Sequence, residues 1–183
     1  MNIGNLDLII GPMFAGKSTE LIKRIKCFQI LEKKILIINH IFNNRYGING
    51  LSTHDHVKVE GSLNLENLKD VTKYHKNLFE DADIIIIEEL QFFKDAFEMV
   101  TDWIDNCGKY VIGAGLVSDY KKQPFGDVLR LIPHAENVTK LSALCKKCKD
   151  GTKACFTKRI SCEEDTVLVG SDSCYEAVCR KHY

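Results

Sequence analysis

Leu6-Asp7-Leu8-Ile9-Ile10-Gly11-Pro12-Met13-Phe14-Ala15-Gly16-Lys17-Ser18 is the stretch that decides the fold. Its first five residues are apolar except Asp7 and read as a short strand. Gly11 to Ser18 match G-x-x-x-x-G-K-[ST]. The spacing has a chemical reason. Glycines let the backbone curl so that its N–H groups converge on phosphate oxygens. Lys17 adds a point charge at the β/γ-phosphates, and the Ser18 hydroxyl can bind Mg²⁺. A helix starting here adds the positive end of its dipole. Gly11, Pro12, Met13, Phe14, Ala15, Gly16, Lys17 and Ser18 are therefore the candidate residues for holding a nucleoside triphosphate.

Outward from this loop, apolar runs alternate with mixed segments. Ser18 to Lys33 reads as a helix, with Leu21, Ile22, Ile25 and Phe28 near helical spacing. Ile35 to Ile38 reads as a second strand. Asn43 to Gly61 is polar and reads as loop, with a weak strand near Val57 to Val59. Leu65 to Phe79 reads as helical, and so does Phe92 to Asn106. Ile84 to Ile87 is a continuous β-branched run, expected of a strand buried on both faces. Tyr110 to Ala114 is another such strand. Strands alternating with helices imply an α/β fold with a mainly parallel sheet. After about Leu144 the composition turns Cys- and Lys-rich, with a short β-like stretch at Thr166 to Val169. We expect a nucleotide-binding core over residues 1–144 and a small zinc-binding subdomain over 145–183.

Glu88 and Glu89 end the Ile84–Ile87 run, and strand C-termini of a parallel sheet face the ligand crevice. We assign Glu88 to the Mg²⁺ side. Glu89, on the opposite side of an extended strand, is assigned general-base work, because an accepting hydroxyl must lose its proton.

The 183 residues carry 25 Lys+Arg against 25 Asp+Glu, so a strongly basic nucleic-acid-binding domain is not expected. No apolar run is long enough to cross a bilayer. The first residues lack the basic and apolar regions of a secretory signal, so a cytoplasmic, reducing setting is expected. Six of the eight cysteines fall between Cys145 and Cys179. Clustered cysteines in such a setting read as metal ligands before disulfides. Cys145-x₂-Cys148 and Cys179-x₂-His182, thirty residues apart, make a Cys₃His set for a structural, tetrahedral zinc ion. Cys155, Cys162 and Cys174 lack partner spacing and read as unpaired. Cys27 and Cys107 read as members of the core helices.

These motifs together resemble the type II thymidine kinases, the cellular and poxviral branch. The resemblance runs from Leu8 to Tyr183 through GPMFAGKST, NRY and STHD, the acidic strand end with Gln91-Phe92-Phe93, QPFGDVLRLIP, TKLSALCKKC, FTKR and YEAVCRKHY. It implies a RecA-like P-loop core, and ATP- and Mg²⁺-dependent phosphorylation of the 5′-hydroxyl of thymidine, with deoxyuridine as a further candidate. It also implies a zinc-held loop over the nucleoside, a homotetramer and feedback inhibition by dTTP. Position by position, it places the catalytic carboxylate on Glu89, an arginine near the phosphates on Arg45, and Gln91 among the ATP-side residues. The thymidine pocket falls on Met13, Phe92, Leu116, Tyr120, Phe125, Tyr175 and the run Thr166, Val167, Leu168, Val169 and Gly170. The fourth zinc ligand, usually cysteine, is His182.

Four positions depart from the family pattern. Glu88 replaces an aspartate, Leu90 stands where glycine is usual, and Asn43 and Val117 each replace an aspartate. Leucine disfavours positive φ, so the backbone around position 90 is of interest. Two readings compete with a kinase. One is a nucleic-acid-dependent ATPase or zinc-ribbon binding module, suggested by the lysines at 140, 146, 147, 149, 153 and 158. The other is a degenerate relative that binds dTTP or serves assembly. No membrane or nucleic-acid partner is expected.

Overall fold

The computed structural model describes residues 3–42, 51–52, 58–59, 61–160 and 174–183. The strands are β1 (Asn5–Ile10), β2 (Ile35–His40), β3 (Leu51–Ser52), β4 (Lys58–Val59), β5 (Ser62–Leu65), β6 (Ile84–Ile87), β7 (Tyr110–Gly115), β8 (Asn137–Lys140), β9 (Ala143–Leu144), β10 (Lys153–Ala154), β11 (Phe156–Arg159) and β12 (Tyr175–Val178). The helices are α1 (Lys17–Ile30), α2 (Lys69–Tyr74), α3 (Lys76–Asp81), α4 (Ala96–Asp105) and α5 (Val128–Leu131). Six strands form one parallel sheet in the order β5-β2-β6-β7-β1-β8. β7 therefore lies between the phosphate-loop strand β1 and the acidic strand β6, which stand about 10 Å apart.

Side-chain alternation splits the core into two layers. Leu6, Leu8, Ile10, Ile85, Ile87 and Val111 face one cluster with Val100 and Trp103 of α4. Ile9, Ile84, Ile86 and Ile112 face the other, against Leu21, Ile22 and Ile25 of α1. The run Ile84–Ile87 feeds both layers, which is why it contains no polar residue. Asp7 interrupts β1 because it is satisfied. It accepts hydrogen bonds from Arg24 at 2.7 Å, and from Tyr110 and Asn137 at 2.9 Å each. Burial and the bond to Asp7 push the Tyr110 phenol up to about 12.

Several boundaries differ from expectation. Leu65 ends a strand, since it pairs with His40 in the parallel ladder. The helical part of the expected 65–79 segment begins at Lys69 and breaks at His75 into α2 and α3. Leu90–Phe92 form a 3₁₀ turn, and helix resumes only at Ala96 because Phe93 is extended. β8 is an additional strand: Asn-Val-Thr-Lys at the sheet edge is mostly exposed and shows no apolar run. Cys27 lies on α1 but is exposed, and Cys107 follows α4 and is also exposed. Neither is core: Cys27 falls off the buried stripe of α1, and Cys107 lies beyond the end of α4. The Thr166–Val169 stretch, Cys162 and most of the polar 43–61 loop lie outside the described residues.

Candidate active site

The phosphate loop joins β1 to α1. Gly16 caps α1 with φ 81°, a left-handed conformation that glycine adopts without steric cost. The Lys17 ammonium donates to the Pro12 carbonyl at 2.9 Å, which folds its charge over the loop. Phe14 and Ala15 pack instead against a small apolar cluster of Ala143, Cys145, Ala154, Ala177 and Val178. The Met13 N–H donates to the Thr157 hydroxyl of β11 at 3.0 Å. The C-terminal strands thus touch the loop through both packing and a hydrogen bond.

Glu88 is buried, and its carboxylate accepts a hydrogen bond from the Ser18 hydroxyl. The two residues expected on the magnesium side therefore meet across the intervening strand. Two hard oxygen donors at a helix N-terminus suit magnesium. Glu89 is half-buried and does not continue the strand. It takes φ 54°, a left-handed conformation, and this local turn rather than strand alternation sends the two carboxylates to different partners. The positive φ thus falls at Glu89 and not at Leu90. Leucine is accommodated at position 90 because its side chain is fully buried in the main core. Gln91 Nε2 donates to Glu89 Oε2 at 2.5 Å, and Gln91 Oε1 accepts the Leu116 N–H at 2.9 Å.

Phe92 and Phe125 meet edge to face with centroids 5.5 Å apart. His40, buried at the end of β2, lies 5.4 Å from Phe92 and 4.8 Å from Phe93. Burial pulls its imidazole below the ordinary value against the opposing pull of Glu66 and Glu89. Val117, one of the departures, packs on the main core, and its carbonyl accepts the Phe125 N–H. Tyr120 lies beneath the Arg159 guanidinium at 3.9 Å, and Arg159 also donates to the Tyr175 hydroxyl. Period 2 organises β11: Thr157 and Arg159 serve the phosphate loop and Tyr120, while Lys158 donates to the His182 carbonyl at 3.0 Å. Thr157 and Arg159 lie within FTKR, but no spacing rule in that run distinguishes a bridging strand from a core one, so the sequence alone does not mark them as site residues. Arg45 and Thr166 to Gly170 lie outside the described residues.

Cys145, Cys148, Cys179 and His182 converge, all four ligand atoms lying within 4.8 Å of one another. His182 Nδ1 is 3.6, 3.3 and 3.4 Å from the sulfurs of Cys145, Cys148 and Cys179, and Cys148 and Cys179 sulfurs are 3.7 Å apart. Tetrahedral zinc requires about 3.8 Å between sulfurs and about 3.6 Å between sulfur and nitrogen, given its usual bond lengths. The residues therefore fit zinc. Burial would raise the Cys145 thiol, but hydrogen bonding, led by the Cys179 amide, outweighs it and brings the thiol down to about 6. Burial and hydrogen bonds with the Cys145 and Cys179 sulfurs push Cys148 up to about 11. A cation at the centre resolves that conflict, since coordinated thiols deprotonate. No disulfide joins the described cysteines.

A family model described as thymidine kinase matches residues 4–183. A thymidine kinase of Monkeypox virus is 42% identical over 183 residues, covering 100% of this chain and 98% of that protein. Thymidine kinases of Vaccinia virus (strain Western Reserve) and Sheeppox virus (strain KS-1) are each 43% identical, with the same coverage. No helix among the described residues is long and apolar enough to cross a membrane.

Proposed function

The chain belongs to the thymidine kinase family, and from that premise we propose how its residues transfer a phosphoryl group to thymidine. It is an enzyme that phosphorylates thymidine, using ATP and a divalent metal. The single observation that carries the mechanism is the pair of commitments at the end of β6: Glu88 to Ser18, and Glu89 to Gln91.

Apart from Pro12, which has no N–H, and Met13, whose N–H goes to Thr157, the backbone N–H groups of the 11–18 loop hold the triphosphate together with the Lys17 ammonium. Ser18 and Glu88 are the residues that would hold Mg²⁺, and the ion would supply positive charge to the phosphate oxygens. Glu89 accepts the proton of the thymidine 5′-hydroxyl as that oxygen attacks the γ-phosphorus; the γ–β bridging bond breaks and ADP leaves. Gln91 acts on this step through Glu89. Arg45 supplies a fixed cation toward the transferring group, a role that rests on the resemblance.

Met13, Phe92, Leu116, Tyr120, Phe125 and Tyr175 wall the thymidine; the assignment of Thr166, Val167, Leu168, Val169 and Gly170 to the same pocket rests on the resemblance alone. The aromatic contacts between Phe92 and Phe125 and around Tyr120 support this reading. Residues 145–183 act as a zinc-held unit docked on a core of residues 1–144. A homotetramer, dTTP feedback, activity on deoxyuridine and a cytoplasmic setting follow from the resemblance alone. The family match disfavours the ATPase and zinc-ribbon alternatives. A nucleoside panel with ATP and Mg²⁺ tests the proposal: dTMP formation is expected, and ATP hydrolysis stimulated by single-stranded DNA without nucleoside phosphorylation would overturn it.

A further inference from the structure

Tyr183 follows the last zinc ligand by one residue, and its side chain leaves the zinc turn for another part of the molecule. Its hydroxyl donates to the backbone carbonyl of Tyr120. Its ring receives the Lys122 ammonium at 3.4 Å from the centroid. The same ammonium lies 4.6 Å from the Phe156 ring, and Phe156 and Tyr183 are 5.6 Å apart. The Arg180 guanidinium covers Phe156 at 5.0 Å. Lys122 is thus set against two aromatic rings, one from β11 and one from beyond the zinc turn.

The segment carrying Lys122 is a tight loop between β7 and α5. Ser118 bridges Pro124, the Asp119 carboxylate accepts the N–H groups of Lys121 and Gln123 at 2.8 Å each, and the Lys122 N–H reaches the Asp119 carbonyl. Lys122 itself has φ 61°, an unfavourable conformation for a lysine. Glycine or asparagine would relieve the backbone there but could not place an ammonium on the rings. The strained lysine and the hydroxyl bond to Tyr120 address the same loop from the same neighbour.

From this arrangement we infer that Tyr183 and Lys122 form a clasp through which the zinc turn positions the 116–125 loop, making both residues positioning residues for thymidine binding. The link to thymidine rests on the reading that Tyr120 and Phe125 wall its pocket; the clasp itself does not. Each contact is exposed, so neither holds the fold alone. The clasp acts on one loop, and the phosphate loop is held separately through Thr157.

The test uses the full chain as Tyr183→Phe, Tyr183→Ala and Lys122→Met, with zinc content confirmed for each. Tyr183→Phe keeps the ring and removes only the hydroxyl bond. Three quantities are measured: KM for thymidine, KM for ATP, and the rate of tryptic cleavage at Lys121 and Lys122. Lys122→Met is read at Lys121. Each single loss is expected to raise the thymidine KM about two- to fivefold, the scale of one exposed cation–π contact for Lys122→Met and of one hydrogen bond for Tyr183→Phe, with ATP KM unchanged. Tyr183→Ala, which removes both contacts, is expected to show the larger KM shift and faster cleavage. Zinc-loaded Tyr183→Ala cleaved at the parent rate would overturn the clasp. Faster cleavage with an unchanged thymidine KM would uphold the clasp and overturn the placement of Tyr120 and Phe125 against thymidine. A variant that loses zinc is set aside, and Tyr183→Phe then decides by the same criteria.

Discussion

Gln91 holds Glu89: the side-chain amide donates to the carboxylate at 2.5 Å while its oxygen accepts the Leu116 amide at 2.9 Å. One buried glutamine therefore ties the proposed base to the start of the loop after β7. Glu89 sits in a left-handed turn, a backbone conformation that persists only where its surroundings hold it. The glutamine supplies that constraint.

Replacing Gln91 with leucine keeps the volume and removes both hydrogen bonds. It is expected to lower kcat by roughly 10²-fold, the cost of a modest misplacement of a reacting group. Steady-state kinetics check this, with thermal melting to confirm that the variant folds. An unchanged kcat would show that Glu89 needs no support.

Gly126 lies against the Gln91 backbone. A Cβ at position 126 would come within 2.3 Å of the Gln91 carbonyl oxygen, at φ +58°. Gly126→Ala is expected to destabilise the chain by about 1–3 kcal/mol and to disturb activity with it. Denaturant titration measures the first and kcat the second.

Ser18→Ala removes one of the two hard oxygens that meet beside the phosphate loop. The magnesium concentration for half-maximal activity is expected to rise about tenfold or more. A metal titration at saturating ATP and thymidine reads this. If the requirement does not move, Ser18 serves Glu88 only as a hydrogen-bond donor.

Zinc is expected at about one ion per chain, and His182→Ala is expected to lower both the zinc content and the melting temperature. His182→Cys offers a sulfur in place of Nδ1 and is expected to retain the metal. Zinc analysis of the purified proteins separates these outcomes. Full zinc in His182→Ala would remove His182 from the ligand set.

His40 gives the protein an acid-sensitive element. Burial lowers its folded pKa below the ordinary 6.5. The unfolded chain takes up a proton near pH 6.5 that the folded chain resists, so stability is full above that pH and falls below it. His40→Asn leaves an acceptor for the Phe42 N–H and removes the titration. Melting temperatures at pH 7.5 and 5.5 are expected to differ less in the variant than in the parent chain.

Legibility in the sequence followed local signals. The phosphate loop, the run Ile84–Ile87 and the paired C-x₂ spacings each carry their chemistry in consecutive residues, and each lies where that reading placed it. What escaped depends on distant partners. The start of α2 is capped by Asp95, whose carboxylate accepts the N–H groups of Leu68 and Lys69. No local rule around Leu65 announces that. β8 escaped because an exposed edge strand needs no apolar residues. The orientation of Glu89 escaped because strand alternation ends at Ile87, two residues before it. Thr157, Arg159 and Tyr183 act through contacts more than thirty residues away in sequence.

The central claim is that Glu89 takes the proton of the thymidine hydroxyl, and Glu89→Gln tests it most directly. The substitution preserves shape and removes the base. With ATP, Mg²⁺ and thymidine, the rate of dTMP formation is expected to fall about 10²- to 10⁴-fold, with melting temperature and ATP binding close to the parent values. A folded Glu89→Gln enzyme that makes dTMP at the parent rate would contradict the account.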